Sequence, residues 1–315
     1  MDRHEMTELS VITPCRNEEA CVEDFAQAVE AALAKAGDGL EWEIVFVDDG
    51  STDSTLEKIK AIAARDARVK YVSFSRNFGK EAALLAGLRK AKGRFVATMD
   101  VDLQDPPHLL PEMLEAVRSG GWDSVATRRV SRKGEPPIRS FFARMFYRIM
   151  AKFSDVELVD GARDYRMMTR RMVEAILSMP ETCRFTKGIY QWVGFKTKWI
   201  GYENVERAKG ETKWSFWKLF AYAIDGIVAF TTAPLQVASC LGAASCLVSF
   251  AAMVFIVVRK FLCGDPVAGW PSLVCIILFI GGLQIFFAGI LGAYLAKTYR
   301  ETKRRPLYFV REESL

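Results

Sequence analysis

Three carboxylates, Asp100, Asp102 and Asp105, follow directly on an apolar run, Phe95-Val96-Ala97-Thr98-Met99, within the stretch Arg94–Pro107. The run reads as a buried strand that delivers acids to a cleft. Strand alternation sets Asp100 and Asp102 on one side of the chain, facing one cation, and hard divalent ions such as Mg²⁺ or Mn²⁺ prefer oxygen ligands of this kind. A bound diphosphate would complete the shell. An isolated Asp-x-Asp is more often a strand ending in a polar loop whose acids cap the next helix, so the weight falls on the surrounding chain.

That chain repeats the same unit. Leu9–Thr13 is a short apolar strand ended by Pro14, and Cys15-Arg16-Asn17-Glu18-Glu19 leads into a helix over about 22–36, with Asn17 as its N-cap candidate. Trp42–Val47 ends in Asp48-Asp49-Gly50-Ser51-Thr52-Asp53 before a helix from Ser54. Val69–Phe74 ends in Ser75-Arg76-Asn77-Phe78-Gly79-Lys80 before a helix over Glu81–Ala91. The acidic strand is followed by a helix over Pro107–Ser119 and a strand over Ser124–Thr127. Such alternation predicts an α/β fold with a mainly parallel, Rossmann-like sheet and helices on both faces. In these sheets ligands sit beyond the carboxyl ends of the strands, where this chain places Arg16, Asn17, Asp48, Asp49, Arg76, Lys80, Asp100 and Asp102. One shared polar ligand explains four such ends better than four separate structural purposes. The chain has no Gly-x-Gly-x-x-Gly and no Walker loop, which argues against NAD and against P-loop phosphate binding.

Composition divides the 315 residues sharply. The average values, 50% hydrophobic and a net charge of +5, point neither to disorder nor to a nucleic-acid partner. Between Phe230 and Ala296, however, the only charged residues are Arg259, Lys260 and Asp265. Two spanning segments are expected there, at about 231–258 and 273–295, each long enough for the roughly 20 residues a bilayer requires. Lys297, Arg300, Lys303, Arg304 and Arg305 outnumber Arg259 and Lys260 and assign both termini to the cytoplasm of an inner-membrane protein. The lack of an N-terminal signal sequence agrees with a cytosolic, reduced polar part. Gly281, Gly282, Gly289 and Gly292 permit close helix packing, so a homo-oligomer is expected. With only His4 and His108 present, a histidine zinc site or serine triad is disfavoured.

Between these parts the chain turns basic and aromatic. Residues 128–154 interleave arginines and lysines with Phe141, Phe142, Met145, Phe146, Ile149, Met150 and Phe153, as a helix at about 137–153 lying among lipid headgroups would. Residues 157–168 lead into a helix over Thr169–Leu177 capped by Thr169, and Lys196–Asn204 reads as a strand. A polar loop follows whose Arg207, Lys209 and Lys213 suit a negative leaving group. The expected organisation is a catalytic domain over 1–213, a juxtamembrane helix over 214–229, two membrane helices within 230–296 and a basic tail over 297–315.

With these pieces assembled, the sequence resembles the family 2 nucleotide-sugar glycosyltransferases. It is most similar to their polyprenyl-phosphate branch, typified by dolichol-phosphate mannose synthase and the bacterial bactoprenol glucosyltransferases. The resemblance covers nearly the whole chain. It rests on Pro14–Glu18, Val47–Asp53, Ser75–Lys80, Asp100–Pro107 and Asp164-Tyr165-Arg166, with Arg16 standing where the family usually has Tyr. It implies a GT-A fold and a metal-dependent, inverting transfer from a UDP-sugar to undecaprenyl or another polyprenyl phosphate in the membrane. Residue by residue, it implies that Pro14, Glu18, Asp48 and Asp49 contact the nucleoside, with Lys80 also in the nucleotide-sugar site. Asp100, Asp102 and Gln104 would form the metal and diphosphate site, Arg128 and Arg139 would grip the acceptor phosphate, and Asp164 matches the residue proposed as base. Arg207 and Lys213 match the loop that closes on the diphosphate.

The chemistry is consistent with those roles. A phosphate monoester has its second pKa near about 6, so the acceptor is largely a dianion at neutral pH and hardly needs a base. Asp164 is therefore expected to orient the acceptor or Arg166 rather than remove a proton. Glucose is the first choice of sugar, but mannose, galactose, N-acetylglucosamine or a modified arabinose would leave similar motifs. A processive polysaccharide synthase is disfavoured because Gln191-Trp192-Val193-Gly194-Phe195 supplies no Q-x-x-R-W and two spans are few for a polymer channel. A non-catalytic lipid-carrier-binding or flipping protein would have no need of Asp48, Asp100, Asp102 and Asp164 together.

Overall fold

Runs rich in β-branched and aromatic residues form the expected strands, and each gives way to a helix after a polar loop. In chain order these are β1 (Leu9–Cys15), α1 (Val22–Leu33), β2 (Trp42–Asp48), α2 (Thr55–Arg65), β3 (Val69–Phe74), α3 (Lys80–Lys90) and β4 (Phe95–Thr98). A single 3₁₀ turn (Pro107–Leu109) opens α4 (Leu110–Arg118), followed by β5 (Ser124–Arg129), β6 (Ala162–Thr169), α5 (Arg170–Ser178), α6 (Thr186–Trp192) and β7 (Thr197–Tyr202). Two long helices, α7 (Ala233–Cys263) and α8 (Trp270–Lys303), precede a last strand, β8 (Val310–Ser314). The computed structural model describes residues 7–37, 39–130, 159, 161–203, 228, 231–263 and 269–314. The interfacial helix expected at 137–153 with Arg139, the loop cations Arg207 and Lys213, and all of 214–229 except Val228 lie outside them.

The strands form one eight-stranded sheet in the order β7-β5-β6-β4-β1-β2-β3-β8. Six run the same way; β6 is antiparallel to both its neighbours and β8 is antiparallel to β3. The central strands are covered on both faces. Val11, Ile44, Phe46 and Ala97 pack toward Phe25, Val29 and Met113 on one side. Ile12, Val45, Val72 and Val96 pack toward Ala83, Met172 and Ile176 on the other. This two-sided burial is why the strands read as continuous apolar runs rather than alternating ones.

Three local expectations are corrected. Asn17 does not cap α1; it sits at φ 52°, donates its N–H to Ser51 Oγ (3.0 Å) and accepts from the Thr52 N–H (2.8 Å), tying the first loop to the second. Thr169 precedes α5 but makes no side-chain cap, because it closes β6, a strand over Ala162–Thr169. The stretch expected as a basic tail is instead ordered. Helix α8 continues to Lys303, and Glu301 near its end accepts the N–H groups of Thr182 (3.0 Å) and Cys183 (2.7 Å). Tyr308 then stacks on Phe74 at 4.8 Å before β8 joins the sheet edge, where Glu312 pairs with Lys60 (2.7 Å) and Glu313 with Lys90 (2.8 Å).

Without β8 the long edge of β3 would offer unpaired backbone groups to other chains. Deleting residues 310–315 is expected to lower the melting temperature of the detergent-purified protein by about 4 °C and to raise light scattering on heating. An unchanged melting curve would show that this strand adds nothing to the sheet.

Candidate active site

The register of β4 and β6 builds the centre of the site. Phe95 pairs with Thr169 and Thr98 with Arg166, so the carboxyl end of β4 lies beside the start of β6, and with it Asp100 near Asp164. The Thr98 hydroxyl donates to the Asp164 carbonyl and fixes that alignment. Into the gap between the two acids comes Lys80 from the first turn of α3. Its ammonium lies 2.7 and 2.9 Å from the two Asp100 oxygens and 2.6 Å from Asp164.

Burial pulls on all three groups, and the pairing decides the outcome differently for each. Burial alone would lower Lys80, but Asp100 and Asp164 hold its ammonium well above the ordinary lysine value. Burial would raise Asp164, but Lys80, then Lys187 and Arg163, hold its carboxyl well below the usual range. Asp100 goes the other way: burial raises it, and Asp105 and Asp164 reinforce the rise against the pull of Lys80. Two carboxylates that share one cation are thus driven apart in acidity.

The other sequence-predicted residues take up two further positions. Around the first and second strand ends the acids shape loops. Asp48 accepts from the Ser51 N–H (3.1 Å) and the Ser73 hydroxyl (2.9 Å), and Asp49 accepts from the N–H groups of Phe78 (2.6 Å) and Gly79 (3.0 Å). Burial pushes the Asp49 carboxyl up against those two bonds. Gly50 is required between these loops: it sits at φ 62°, and a Cβ there would lie 2.5 Å from the Arg76 carbonyl carbon. Pro14 lies within β1 opposite Val47, one residue before its end, and the Glu18 N–H is held by Thr55 Oγ1 at 2.8 Å. Through the Gly79 N–H, Asp49 holds the residue just before Lys80.

The third position follows β4. Alternation does not carry past Thr98, because residues 101–102 form a turn and Leu103 adopts φ 57°. The expectation that Asp100 and Asp102 share a strand face is thereby corrected: Asp102 is buried, accepting the Gln104 N–H at 3.2 Å, while Asp100 keeps a quarter of its side-chain surface exposed at 25%. Gln104 Oε1 faces two guanidiniums, Arg129 and Arg163, at 3.4 Å each. Arg163 is anchored by the fully buried Asp105 (3.1 Å), which also accepts from the Tyr202 hydroxyl (2.8 Å). Arg163, Tyr202 and Lys187 were not legible as site residues. The adjacency of Arg163 to Asp164 was the one available signal.

Arg128 stands exposed at the end of β5. Arg166 does not meet the Asp164 carboxylate. Its guanidinium is buried over the rings of Tyr190 (4.5 Å) and Trp199 (5.5 Å), reaches Ser124 Oγ at 3.2 Å, and is drawn down to a pKa of about 10 by burial. The neighbouring Glu81 accepts from the Thr186 N–H (2.9 Å) and hydroxyl, and burial raises it.

A divalent cation fits the donor set in part. Asp100 already holds a positive group, the Lys80 ammonium, in contact with both oxygens, and its oxygens with those of Asp102 are the hard ligands such an ion takes. The Gln104 amide oxygen fits less well, being turned to the arginines. Among the described residues no three His, Cys, Asp or Glu side chains form a closed metal site. Ions of the Mg²⁺ type are commonly held by one or two carboxylates plus substrate phosphates, so this arrangement calls for a diphosphate.

The chain is similar to several known proteins. The sequence profile of the family described as Glycosyl transferase family 2 matches residues 10–177. A prophage bactoprenol glucosyl transferase homolog of Escherichia coli is 40% identical over 304 residues, 96% of this chain and 98% of that one. The bactoprenol glucosyl transferase of Shigella phage SfV is 38% identical over 305 residues, 97% of this chain and 98% of the other. Among solved structures, glucosyl-3-phosphoglycerate synthase from Mycobacterium tuberculosis, in complex with Mn²⁺, UDP-glucose and phosphoglyceric acid, is 23% identical. It aligns with a TM-score of 0.45 over 70% of this chain and 78% of that one.

Proposed function

The chain belongs to glycosyl transferase family 2, and from that membership we propose that it transfers glucose, with inversion, from UDP-glucose to a polyprenyl phosphate at the cytoplasmic face of a membrane. The observation that carries this reading is coverage. The similarity to proteins named bactoprenol glucosyl transferase extends over 96–97% of the chain and so takes in the two helices long and apolar enough to cross a bilayer. A soluble-acceptor enzyme would have no use for those helices.

In the proposed reaction an oxygen of the acceptor phosphate attacks C1 of the glucosyl group from the face opposite UDP. The C1–O bond to the β-phosphate breaks, UDP departs with the electron pair, and the sugar is left on the lipid phosphate with inverted configuration. Asp100 and Asp102 would hold Mg²⁺ or Mn²⁺, which supplies positive charge to the diphosphate. Lys80, whose ammonium reaches both Asp100 and Asp164, supplies a second positive charge to the diphosphate. Pro14, Glu18, Asp48 and Asp49 take the nucleoside. Arg128, exposed at the sheet end, receives the acceptor phosphate with Arg139, and Arg207 and Lys213 neutralise the diphosphate. Asp164 orients Lys80 and the acceptor and removes no proton, since a group held so far below the usual carboxylate range is a weak base.

The pairing of β8 with β3 supports a cytoplasmic C-terminus, because it returns the chain after two crossings to the sheet where it began. The small residues Gly281, Gly282, Gly289 and Gly292 on α8 permit close packing of membrane helices between copies.

The test is transfer by detergent-purified protein with labelled UDP-glucose, undecaprenyl phosphate and Mg²⁺ or Mn²⁺, reading label in the organic phase. Label is expected there only when the lipid and a divalent ion are both present. Label from another nucleotide sugar alone would change the donor; no transfer from any sugar, with UDP binding intact, would sink the reading.

A further inference from the structure

Lys80 occupies a position that its own helix does not favour. It is the first residue of α3, where the positive end of the helix dipole and the unpaired N–H groups attract anions and repel cations. What holds it is two acids from different strands: both oxygens of Asp100, at 2.7 and 2.9 Å, and Asp164 at 2.6 Å. Asp100 is also one of the two carboxylates assigned above to the divalent ion. An ammonium and a metal ion on the same two oxygens would be like charges in contact, so they compete for that carboxylate. Lysine suits an exchangeable role: its charge is compact, its three donors rotate freely, and its flexible stem lets it leave one acid while keeping the other.

We propose that Lys80 is an internal counter-ion that holds the cation position on Asp100 until a divalent ion arrives together with the donor diphosphate. The ammonium then moves from Asp100 to the diphosphate oxygens while Asp164 retains it. The inference rests on the metal-dependent reading above and adds an order to it. A metal ion alone must displace Lys80 at the expense of its ion pair, whereas a metal ion with a nucleotide brings the negative charge that Lys80 needs. Cation binding is thereby made conditional on the donor.

The experiment is Mn²⁺ uptake by the full-length, detergent-purified chain, followed by loss of the free-ion paramagnetic resonance signal with and without UDP. The wild type is expected to take up Mn²⁺ weakly alone and tightly with UDP. Lys80→Met should bind Mn²⁺ alone at least about tenfold more tightly than wild type, because a unit positive charge in contact with the ligand oxygens is gone. The gain on adding UDP should shrink, and Lys80→Arg, which keeps the charge, should stay near wild type without nucleotide. Lys80→Gln, polar and nearly as long, replaces Lys80→Met if its melting curve shows unfolding. Equal or weaker Mn²⁺ binding by a folded, uncharged variant overturns the counter-ion role alone, provided the wild type still shows UDP-dependent uptake. No uptake by any variant, even with UDP, overturns the metal-dependent reading as well.

Discussion

Asp100→Asn is expected to lower glucose transfer by about a thousandfold while leaving the melting temperature unchanged or slightly raised. The loss follows because an amide offers one neutral oxygen where the carboxylate offers two charged ones, to Lys80 and to a divalent ion alike. Retention of stability follows from the direction of the acid's shift. Burial raises the Asp100 carboxyl, and Asp105 and Asp164 outlast the opposing pull of Lys80. A carboxyl raised in the folded state contributes stability below its unfolded value of about 4, and that contribution is lost as pH climbs through the folded value. At neutral pH the ionised Asp100 is therefore a net cost to folding, and a neutral isostere removes it. Paired transfer assays and calorimetry check this: a variant several degrees less stable, or one that keeps most of its activity, would contradict the account.

Most of the parallel half of this architecture can be read from the chain because its strands are buried on both faces, and their polar ends interrupt long apolar runs. Leu9–Cys15, Trp42–Asp48 and Val69–Phe74 all stand out in this way. The two antiparallel strands do not, for opposite physical reasons. β6 contains Arg163, Asp164 and Arg166, which look like loop residues, yet Arg166 is only 2% exposed because two aromatic faces and neutral hydroxyls accept its guanidinium. Such a cation is invisible to any pattern that equates charge with surface. β8, Val-Arg-Glu-Glu-Ser, is half exposed and carries no apolar alternation. It is held by ladder bonds to β3 and by ion pairs to lysines more than two hundred residues earlier.

The site was legible in its acids and less so in their arrangement. Asp100 and Asp164 were both singled out, but what joins them is the β4–β6 register, a fact about strand pairing that spacing along the chain does not carry. The turn after Thr98, with Leu103 in the left-handed region, likewise defeats a strand-alternation argument for Asp102, since nothing about a leucine signals positive φ. Asp105 shows the remaining kind of gap. Its role as the buried anchor of Arg163 and Tyr202 joins three separate elements, and only folding brings them together.

Asp164→Asn should also cripple transfer, by about a hundredfold, yet its stability should move opposite to that of Asp100→Asn and its pH profile should keep the wild-type shape. Burial would raise the Asp164 carboxyl, but Lys80 first, then Lys187 and Arg163, hold it well below the usual range. A carboxyl depressed in the folded state contributes stability that is present above its unfolded value of about 4 and lost as pH falls toward the folded one. At neutral pH that contribution is complete, so the asparagine variant melts lower. The same depression leaves Asp164 ionised across the whole range in which the enzyme is assayed, so its own titration cannot produce an acidic limb near neutrality. The acceptor phosphate can, because its second ionisation falls near about 6 and only the dianion attacks well. Both wild type and Asp164→Asn should therefore lose rate below about pH 6 with the same midpoint, the variant simply running lower throughout. If the acidic limb vanished in the variant while acceptor binding stayed normal, Asp164 would be the proton acceptor after all, and its ion pair with Lys80 would have to open before the chemical step.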